Sequence, residues 1–280
     1  MEIPVQKTIK LYMGGGFPRT ESGRSFTLKN KDGSTYAQCC LGSRKDIRNA
    51  VGFAKKAQGS WAKRTAYNRA QILYRMAEMM QGKFGEFVAP LTNVIGLSES
   101  DAKKSVQASI DTFVYYAGFA DKYQQVMSTV NPVSGPFHNF TSAEPVGVVG
   151  SLISENFDLI ALIDHIASAL SSGNSMVVVL GKASTAILAP LAEVFATSDL
   201  PDGVVNLISG DSEELYSHIS THMEVNSLYI EEVNEDRAHE IKDMAIDNLK
   251  RVVFNKGELK TLQNITNFVE YKTVWHPVGQ

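Results

Sequence analysis

The chain has 280 residues, 44% of them hydrophobic and 20% charged, so it is long enough for about two ordinary domains and should bury a substantial core. This composition excludes disordered, collagen-like and low-complexity chains. Lys and Arg number 27 against 30 Asp and Glu, a net charge of −3, so no basic field indicates nucleic acid or an anionic membrane as a partner.

The two cysteines, Cys39 and Cys40, are adjacent in a strand-like stretch. Such a pair supplies neither a disulfide framework nor a four-ligand zinc site, so a reducing cytoplasm fits best and no metal is expected. The N-terminal segment has no apolar core, and no window reaches the ~18 uncharged apolar residues of a membrane span. We expect a cytoplasmic protein with no membrane partner.

The first 130 residues predict short strands followed by helices. Residues 9–13 and 25–30 are typical of strands, with a hairpin turn at 31–34. Ser43 is the expected N-cap of the first helix, with Asp46 as its capping acid. Further helical segments are predicted over 65–81, 84–96 and from Ser98 through Tyr123. The aromatic stripe of the last helix is interpreted as core packing: Phe113, Tyr116, Phe119 and Tyr123.

After a Pro- and Gly-containing linker at 131–144, short apolar strands alternate with helices. Strands are predicted at 146–152, 175–180, 204–209, 226–230 and 251–254, with helices at 159–172, 184–197, 212–220 and 235–249. Five such strands predict a parallel sheet covered on both faces, with a ligand crevice at the carboxyl ends of the strands. A last alternating segment, 265–275, predicts a long strand that needs a sheet edge.

Several segments together resemble the cofactor-binding half of the NAD(P)-dependent aldehyde dehydrogenase superfamily. They are EPVGVVG (144–150), the Asn156-Phe157 pair, ALSSGNS (169–175), LPDGVVNLISGD (200–211) and LKRVVF (249–254). YMGGGFPRTESGRSF and TFVYYAGFADKY resemble the N-terminal region of that family, and FVEYKTVW resembles its C-terminal oligomerisation strand. The resemblance covers nearly the whole chain.

The resemblance implies an α/β fold with a Rossmann-like five-stranded parallel sheet, an N-terminal helical region and an extended β oligomerisation arm. Residues 1–130 and 146–260 would form the cofactor-binding-like domain, and 131–145 and 261–280 the oligomerisation strands. Only about a dozen residues separate Phe254 from the closing strand, where the family inserts a catalytic domain bearing its nucleophilic cysteine. We therefore expect the catalytic domain to be missing and the chain to be a pseudoenzyme.

Two positions matching the catalytic motifs of the family can be assigned. Asn156 matches its oxyanion-hole asparagine, although Glu155 replaces the usual neighbouring tryptophan and Asp158 a common proline. The general-base glutamate falls at Asn255, which cannot accept a proton, and the following two-glycine pattern is reduced to Gly257. Acyl or thiohemiacetal chemistry needs a nucleophile and a base together, so no intact catalytic set is expected.

The resemblance also indicates a degenerate cofactor site. The lysine and glutamate that hold the adenosine ribose in the family correspond to Val179 and Lys182. Its Thr-Gly-Ser turn, which presents helix N–H groups to the pyrophosphate, corresponds to Glu231, Glu232 and Val233. Two carboxylates at that position would favour a helix start but repel a diphosphate. We expect no cofactor, with NAD(P) binding the minority outcome.

Other candidate sites are weaker. His218 and His222 have the i, i+4 spacing of zinc ligands but lack an adjacent glutamate and a third ligand, so a solvated helix end is the preferred interpretation. Gly147 and Gly150 lie within a strand and do not form a GxGxxG phosphate loop. The acidic stretch from Glu213 to Asp236 is interpreted as a solvated face.

The favoured hypothesis is a non-catalytic protein that acts through assembly. Its oligomerisation-type strands have no catalytic domain of their own to receive them, which predicts β-augmentation onto a full-length aldehyde dehydrogenase or between two copies of the chain. The expected interface residues are Phe140, Phe268, Val274 and Trp275. Family 16 aldehyde dehydrogenases carry a truncated second module lacking the cysteine, and this chain resembles such a module or a free-standing relative.

The alternative hypothesis is an NAD(P)-dependent dehydrogenase subunit whose cofactor site serves the catalytic cysteine of a partner. Asn156 and the five-strand module favour it, whereas the residues at the cofactor and base positions oppose it. A third hypothesis, another small ligand in the altered crevice, rests only on the tendency of such folds to bind ligands there.

Overall fold

The computed structural model describes residues 6–279, so the first five residues of the N-terminal segment interpreted above lie outside the described part. The strands are β1 Lys7–Ile9, β2 Ser25–Lys29, β3 Thr35–Cys40, β4 Thr129–Asn131, β5 Phe137–Pro145, β6 Val148–Ile153, β7 Ser175–Leu180, β8 Val205–Ser209, β9 Ser227–Ile230, β10 Arg251–Phe254 and β11 Val269–Pro277. The helices are α1 Arg44–Ala62, α2 Ala66–Gly82, α3 Phe84–Pro90, α4 Glu99–Phe119, α5 Tyr123–Met127, α6 Leu159–Ser171, α7 Leu188–Ala196, α8 Ser212–Ser220, α9 Glu235–Ala245 and α10 Leu262–Thr266.

The centre of the molecule is a five-stranded parallel sheet in the order β10-β9-β6-β7-β8. Every residue of β6 and β7 is buried, as expected for strands covered on both faces. The predicted five-stranded α/β fold is therefore confirmed, and the strands at 175–180 and 251–254 have the predicted bounds.

Side chains of β7 alternate between two hydrophobic cores, one on each face of the sheet. Val177 and Val179 pack in the core that contains Ile47 and Val51 of α1. Met176, Val178 and Leu180 pack in the larger core with the apolar residues of α6. This period-2 alternation between two apolar layers explains why the strand is an uninterrupted hydrophobic run.

The N-terminal helices are fixed by their caps and by buried aromatic residues. Ser43 and Asp46 form the expected capping box of α1. Ser98 caps α4, but α4 ends at Phe119 and a turn separates it from α5, so the prediction of one helix through Tyr123 was wrong. Tyr123 is nevertheless fully buried, and the interpretation of the aromatic stripe as core is confirmed for its other buried members, Phe113 and Tyr116.

A second, antiparallel sheet forms an arm in the order β11-β5-β4, which we call the β arm. β5 and β11 pair along their whole length, from Pro145 opposite Val269 to Phe137 opposite Pro277. The last strand, which was predicted to need a sheet edge, therefore finds one within the chain, because β5 and β11 pair with each other. Among the described residues, β11 keeps one edge without a neighbouring strand.

Three of the four expected interface residues lie on the β arm, and the fourth does not. Phe140 and Val274 are direct cross-strand neighbours, and Trp275 is exposed on the opposite face, edge-on to Phe137. Phe268 precedes β11, is only 1% exposed and packs against His165 with ring centroids 5.2 Å apart. Its assignment as an interface residue is corrected, because its ring is part of the main core.

In the part of the chain that the structure describes, no helix combines the length and apolar character needed to cross a bilayer.

Candidate functional site

The candidate site is the carboxyl edge of the parallel sheet, where the loops after β6, β7, β8, β9 and β10 meet. Open parallel sheets bind their ligands at this edge. Every sequence-predicted cofactor and catalytic position lies in or beside one of these loops.

Glu231 directly follows β9 and turns its carboxylate toward β6. Its Oε2 accepts a hydrogen bond of 2.8 Å from the backbone N–H of Ser154, and its own N–H donates to the Leu152 carbonyl. Burial raises the pKa of Glu231, while the Ser154 N–H opposes that rise. The Glu231 carboxylate therefore lies at the carboxyl edge of the sheet, where it binds the backbone N–H of Ser154.

Glu155, one residue beyond Ser154, holds the loop after β7. Its Oε1 and Oε2 accept hydrogen bonds of 2.7 and 2.8 Å from the backbone N–H groups of Lys182 and Ala183. Gly181 permits this approach, since a Cβ there would lie 2.9 Å from Oε1. Two adjacent backbone N–H groups of this kind can bind an anion. Here a carboxylate of the chain itself occupies them.

The ribose-holding pair expected at Val179 and Lys182 has no equivalent geometry. Val179 is fully buried in the core under α1 and presents only methyl groups. Lys182 Nζ pairs with Asp211 Oδ2 at 3.0 Å, which raises the pKa of the lysine and lowers that of the aspartate. Both side chains are substantially exposed, so the pair contributes little to stability.

Glu232 and Val233 continue from Glu231 but do not begin a helix. Glu232 is exposed and Val233 is half-buried against the core under α9. Helix α9 starts at Glu235, capped by the Asn234 side chain bonding to the Arg237 N–H. The helix predicted at 235–249 thus begins at the predicted residue, whereas the placement of Glu231 and Glu232 at a helix start is corrected, because Asn234 caps the helix after them.

The two catalytic-type positions flank β9 in the sheet order. Asn156 is exposed in the turn between β6 and α6. Asn255 follows β10, with its N–H donating to the Ile230 carbonyl and its Oδ1 accepting from the Gly257 N–H at 3.0 Å. Its amide oxygen thereby closes a local turn.

Neither cysteine has the environment of a nucleophile. Cys39 and Cys40 are buried in β3 and are not bonded to each other. Burial raises the pKa of the Cys39 thiol to about 12, so it stays protonated at neutral pH. The carbonyl of Cys40 accepts a hydrogen bond from the Ser209 hydroxyl, a purely structural contact.

A cavity of about 310 Å³ between α6, β10 and the segment 256–268 was not predicted from the sequence. The largely apolar helix α6 contributes three polar residues to its lining: the consecutive pair Asp164 and His165, and Ser168. The Asp164-His165 pair within a largely apolar helix is the feature of the sequence that could have indicated this cavity.

Asp164 fastens the segment that follows β10. Its Oδ1 accepts from the Lys260 N–H at 2.6 Å, and its Oδ2 accepts from Asn264 Nδ2 at 2.6 Å and from the Tyr116 hydroxyl at 2.9 Å. Although burial raises the pKa of Asp164, these three donors favour the charged form. One buried carboxylate thus joins α4, α6, Lys260 just before α10 and Asn264 within α10.

His165 is a neutral core residue. Its Nε2 lies 2.7 Å from the Ser151 hydroxyl, and its ring stacks on Tyr229 with centroids 3.7 Å apart. Burial lowers the pKa of His165 to about 3, so the ring is uncharged at neutral pH. Among the described residues there is no cluster of three or more metal-ligating side chains, and His222 accepts a hydrogen bond from the Glu224 N–H.

The model of the aldehyde dehydrogenase family matches residues 19–258. Cytosolic 10-formyltetrahydrofolate dehydrogenase from Mus musculus is 31% identical over 262 residues, which cover 91% of this chain and 29% of that protein. Mitochondrial benzaldehyde dehydrogenase from Antirrhinum majus is 32% identical over 266 residues, or 92% of this chain and 49% of that protein. The chain therefore spans less than half the length of these two relatives.

Solved structures show the same partial coverage. An aldehyde dehydrogenase from Bacillus cereus in complex with NAD+ superposes with a TM-score of 0.83 at 26% identity, covering 89% of this chain and 50% of that one. An NADP-dependent enzyme from E. coli reaches a TM-score of 0.83 at 18% identity, a likeness of fold alone. The matched portion contains the parallel sheet and its crevice.

Proposed function

The chain belongs to the aldehyde dehydrogenase family, and on that premise we propose that it is a non-catalytic member that acts through assembly of its β arm in the cytoplasm. The partner is a second copy of the chain or a full-length aldehyde dehydrogenase. The observation that carries the proposal is the short connection 255–268, which runs from β10 through α10 directly into β11. In the family this interval holds the domain with the nucleophilic cysteine.

The connection is an integrated part of this fold. Asp164 binds Lys260 and Asn264 of the connection, and Ile265 and Phe268 are almost completely buried in the main core. Arg251 Nη1 in addition donates to the carbonyls of Asn267 and Val269. Such specific packing supports a chain that folds without the catalytic domain between β10 and β11.

The crevice residues do not fit NAD(P). Val179 cannot hydrogen-bond a ribose, and Glu155 and Glu231 place carboxylates at the crevice, where they bind backbone N–H groups of the chain itself. A like charge at about 4 Å costs about 1 kcal/mol in water and about 4 kcal/mol at an intermediate dielectric. A micromolar ligand has only about 8 kcal/mol of binding free energy, so two such contacts remove much of ordinary affinity.

Isothermal titration calorimetry with NAD and NADP tests the cofactor part of the proposal, with a full-length aldehyde dehydrogenase as positive control. We expect no heat of binding to this chain at millimolar cofactor and no aldehyde oxidation. A micromolar dissociation constant would instead support the alternative, a subunit that lends a cofactor site to the cysteine of a partner. The exposed Asn156 amide at the crevice is the observation that favours this alternative.

Sedimentation analysis tests the assembly part. We expect the purified chain to sediment as an oligomer, or to form a complex when mixed with a full-length aldehyde dehydrogenase. A monodisperse monomer that binds neither partner and is cleaved by protease from residue 261 onward would overturn the proposal.

A further inference from the structure

We propose that two copies of this chain pair through the free edges of their β11 strands, antiparallel and in a single register centred on Thr273. This inference rests on the proposed assembly function and specifies its partner and geometry. The result is a continuous six-stranded sheet built from two β arms across a two-fold axis.

The hydrogen bonds of the β arm define which backbone groups of β11 are free. Val278 N donates to the Pro136 carbonyl and Val146 N donates to the Phe268 carbonyl, so the even-numbered residues of β11 point their N–H and C=O groups toward β5. Because these groups alternate in an antiparallel strand, the odd-numbered residues point theirs to the open edge.

Two features bound this open edge. At one end, the Val269 carbonyl already accepts a hydrogen bond of 2.6 Å from Arg251 Nη1. At the other end, Pro277 has no N–H to donate. Between them, three residues offer both an N–H and a C=O toward the open edge: Tyr271, Thr273 and Trp275.

These three residues form a self-complementary set. With Thr273 opposite Thr273 of the second copy, Tyr271 faces Trp275 and each of the three pairs makes two backbone hydrogen bonds. In any other antiparallel register, one of the three faces Val269, Pro277 or a residue outside β11. A shift that pairs odd with even residues misaligns the donors and acceptors. The backbone alone therefore selects one arrangement.

Side chains favour the same register. Tyr271 and Trp275 are 52% and 58% exposed in the single chain, and the pairing places each against the other in two aromatic cross-strand contacts. On the opposite face Glu270 comes opposite His276 of the second copy. A register centred on Lys272 would place two lysines face to face, which is destabilising.

The β11 edge lacks most of the features that normally prevent edge-to-edge pairing. It is nine residues long and regularly paired with β5 throughout, and Lys272 is held by Glu144 at 3.1 Å. Pro277 stands at the end of the strand rather than in its middle. Such an edge is expected to pair, and a second copy supplies an exact complement.

The test compares two substitutions of Thr273 in the full chain by sedimentation equilibrium. Thr273→Pro removes the central outward N–H and leaves the β5 ladder intact, because residue 273 does not donate to β5. Thr273→Val keeps the N–H and removes only the hydroxyl, which contacts Thr141 at 2.8 Å. We expect a dimer for the wild type and for Thr273→Val, and a dissociation constant raised by on the order of a hundredfold for Thr273→Pro.

A cysteine at the two-fold axis tests the register without relying on Thr273→Pro folding normally. Thr273→Cys should form a disulfide-linked dimer under mild oxidation, because hydrogen-bonded partners have Cα atoms about 5.5 Å apart. Tyr271→Cys should not, because residues 271 of the two copies lie far apart along the strands. The native Cys39 and Cys40 are buried and do not interfere.

A monomeric wild-type chain, a dimer that Thr273→Pro leaves intact, or crosslinking through Tyr271→Cys instead of Thr273→Cys would each overturn the inference. If the wild type is monomeric but binds a full-length aldehyde dehydrogenase, the proposed assembly function stands and the pairing of two copies is wrong. If the chain dimerises as expected but also binds NAD, the pairing stands and the non-catalytic proposal is wrong.

Discussion

The parallel sheet and the β arm differ in how far their backbone groups are covered. Each residue of β6 and β7 is buried, and the loops beyond them are closed by carboxylates of the chain itself. In β11 only Val269 is buried, and one edge of the strand has no neighbour among the described residues. The polar backbone groups of the parallel sheet thus bind partners within the chain, whereas those on the outer edge of β11 face solvent. Under the proposed function, this difference makes the arm the expected site of interaction.

The largest expected effect concerns Asp164 of α6, which ties α4 and α6 to the connection 255–268. Asp164→Ala should lower the free energy of unfolding by about 3 kcal/mol, because Tyr116, Asn264 and the Lys260 N–H lose their common acceptor. Urea denaturation measures it, with exposed Asp111→Ala as a control that should stay within about 0.5 kcal/mol. Equal values for the two variants would show that the connection is not anchored there.

A second expected effect is a pH dependence caused by His165. Its native pKa of about 3 lies below the ordinary value of 6.5, so its contribution to stability is complete above pH 6.5 and is lost as the pH falls toward 3. The wild type should lose about 2 kcal/mol from this group between pH 6.5 and 5.

His165→Phe keeps an aromatic ring against Tyr229 but cannot titrate, so its unfolding free energy should fall less over this interval. Chemical denaturation of both proteins at several pH values measures the difference. Parallel pH profiles would contradict the buried, uncharged state of the imidazole.

A smaller effect is expected at the crevice. Glu155→Ala frees the N–H groups of Lys182 and Ala183 and should cost about 1 kcal/mol, a modest value because Glu155 is exposed. Glu232→Ala is the matched control, since Glu232 is an exposed glutamate of the same edge. A loss of stability in Glu232→Ala equal to that in Glu155→Ala would mean that the Glu155 contacts contribute nothing specific.

The parallel sheet could be predicted from the sequence because its strands are local signals: short apolar runs between helices of ordinary length. The Ser43 and Asp46 capping box is equally local. The pairing of β5 with β11 is not, since Thr141 and Thr273 are 132 residues apart and either strand alternates in a way that suits several partners. The buried position of Phe268 likewise follows from the route of the connection.

The candidate site was predicted by position rather than by contact. Val179 is the penultimate residue of β7, and Lys182, Glu231 and Asn255 lie in the loops that follow β7, β9 and β10. No sequence pattern indicates that Glu155 binds the backbone 27 residues further on, or that Asp164 binds Lys260 and Asn264. These contacts depend on how the loops fold over the sheet, which is a tertiary property. The sequence shows which residues differ from the family pattern. It does not show the hydrogen bonds that the replacement residues make.

The smallest expected effect on stability is that of Trp275→Ala, and it bears most directly on the difference between the parallel sheet and the β arm. Trp275 is exposed and meets Phe137 only at a ring edge, so Trp275→Ala should change the free energy of unfolding by less than about 1 kcal/mol. Tyr67→Ala, at a 68% exposed aromatic residue of α2, should be equally mild. Only Trp275→Ala should weaken self-association, because Trp275 belongs to the open edge of β11, whereas Tyr67 lies on α2. Denaturation measures the contribution of each side chain to folding, and sedimentation measures its contribution to self-association. If Tyr67→Ala weakened self-association as much as Trp275→Ala, the β arm would not be the specific site of assembly.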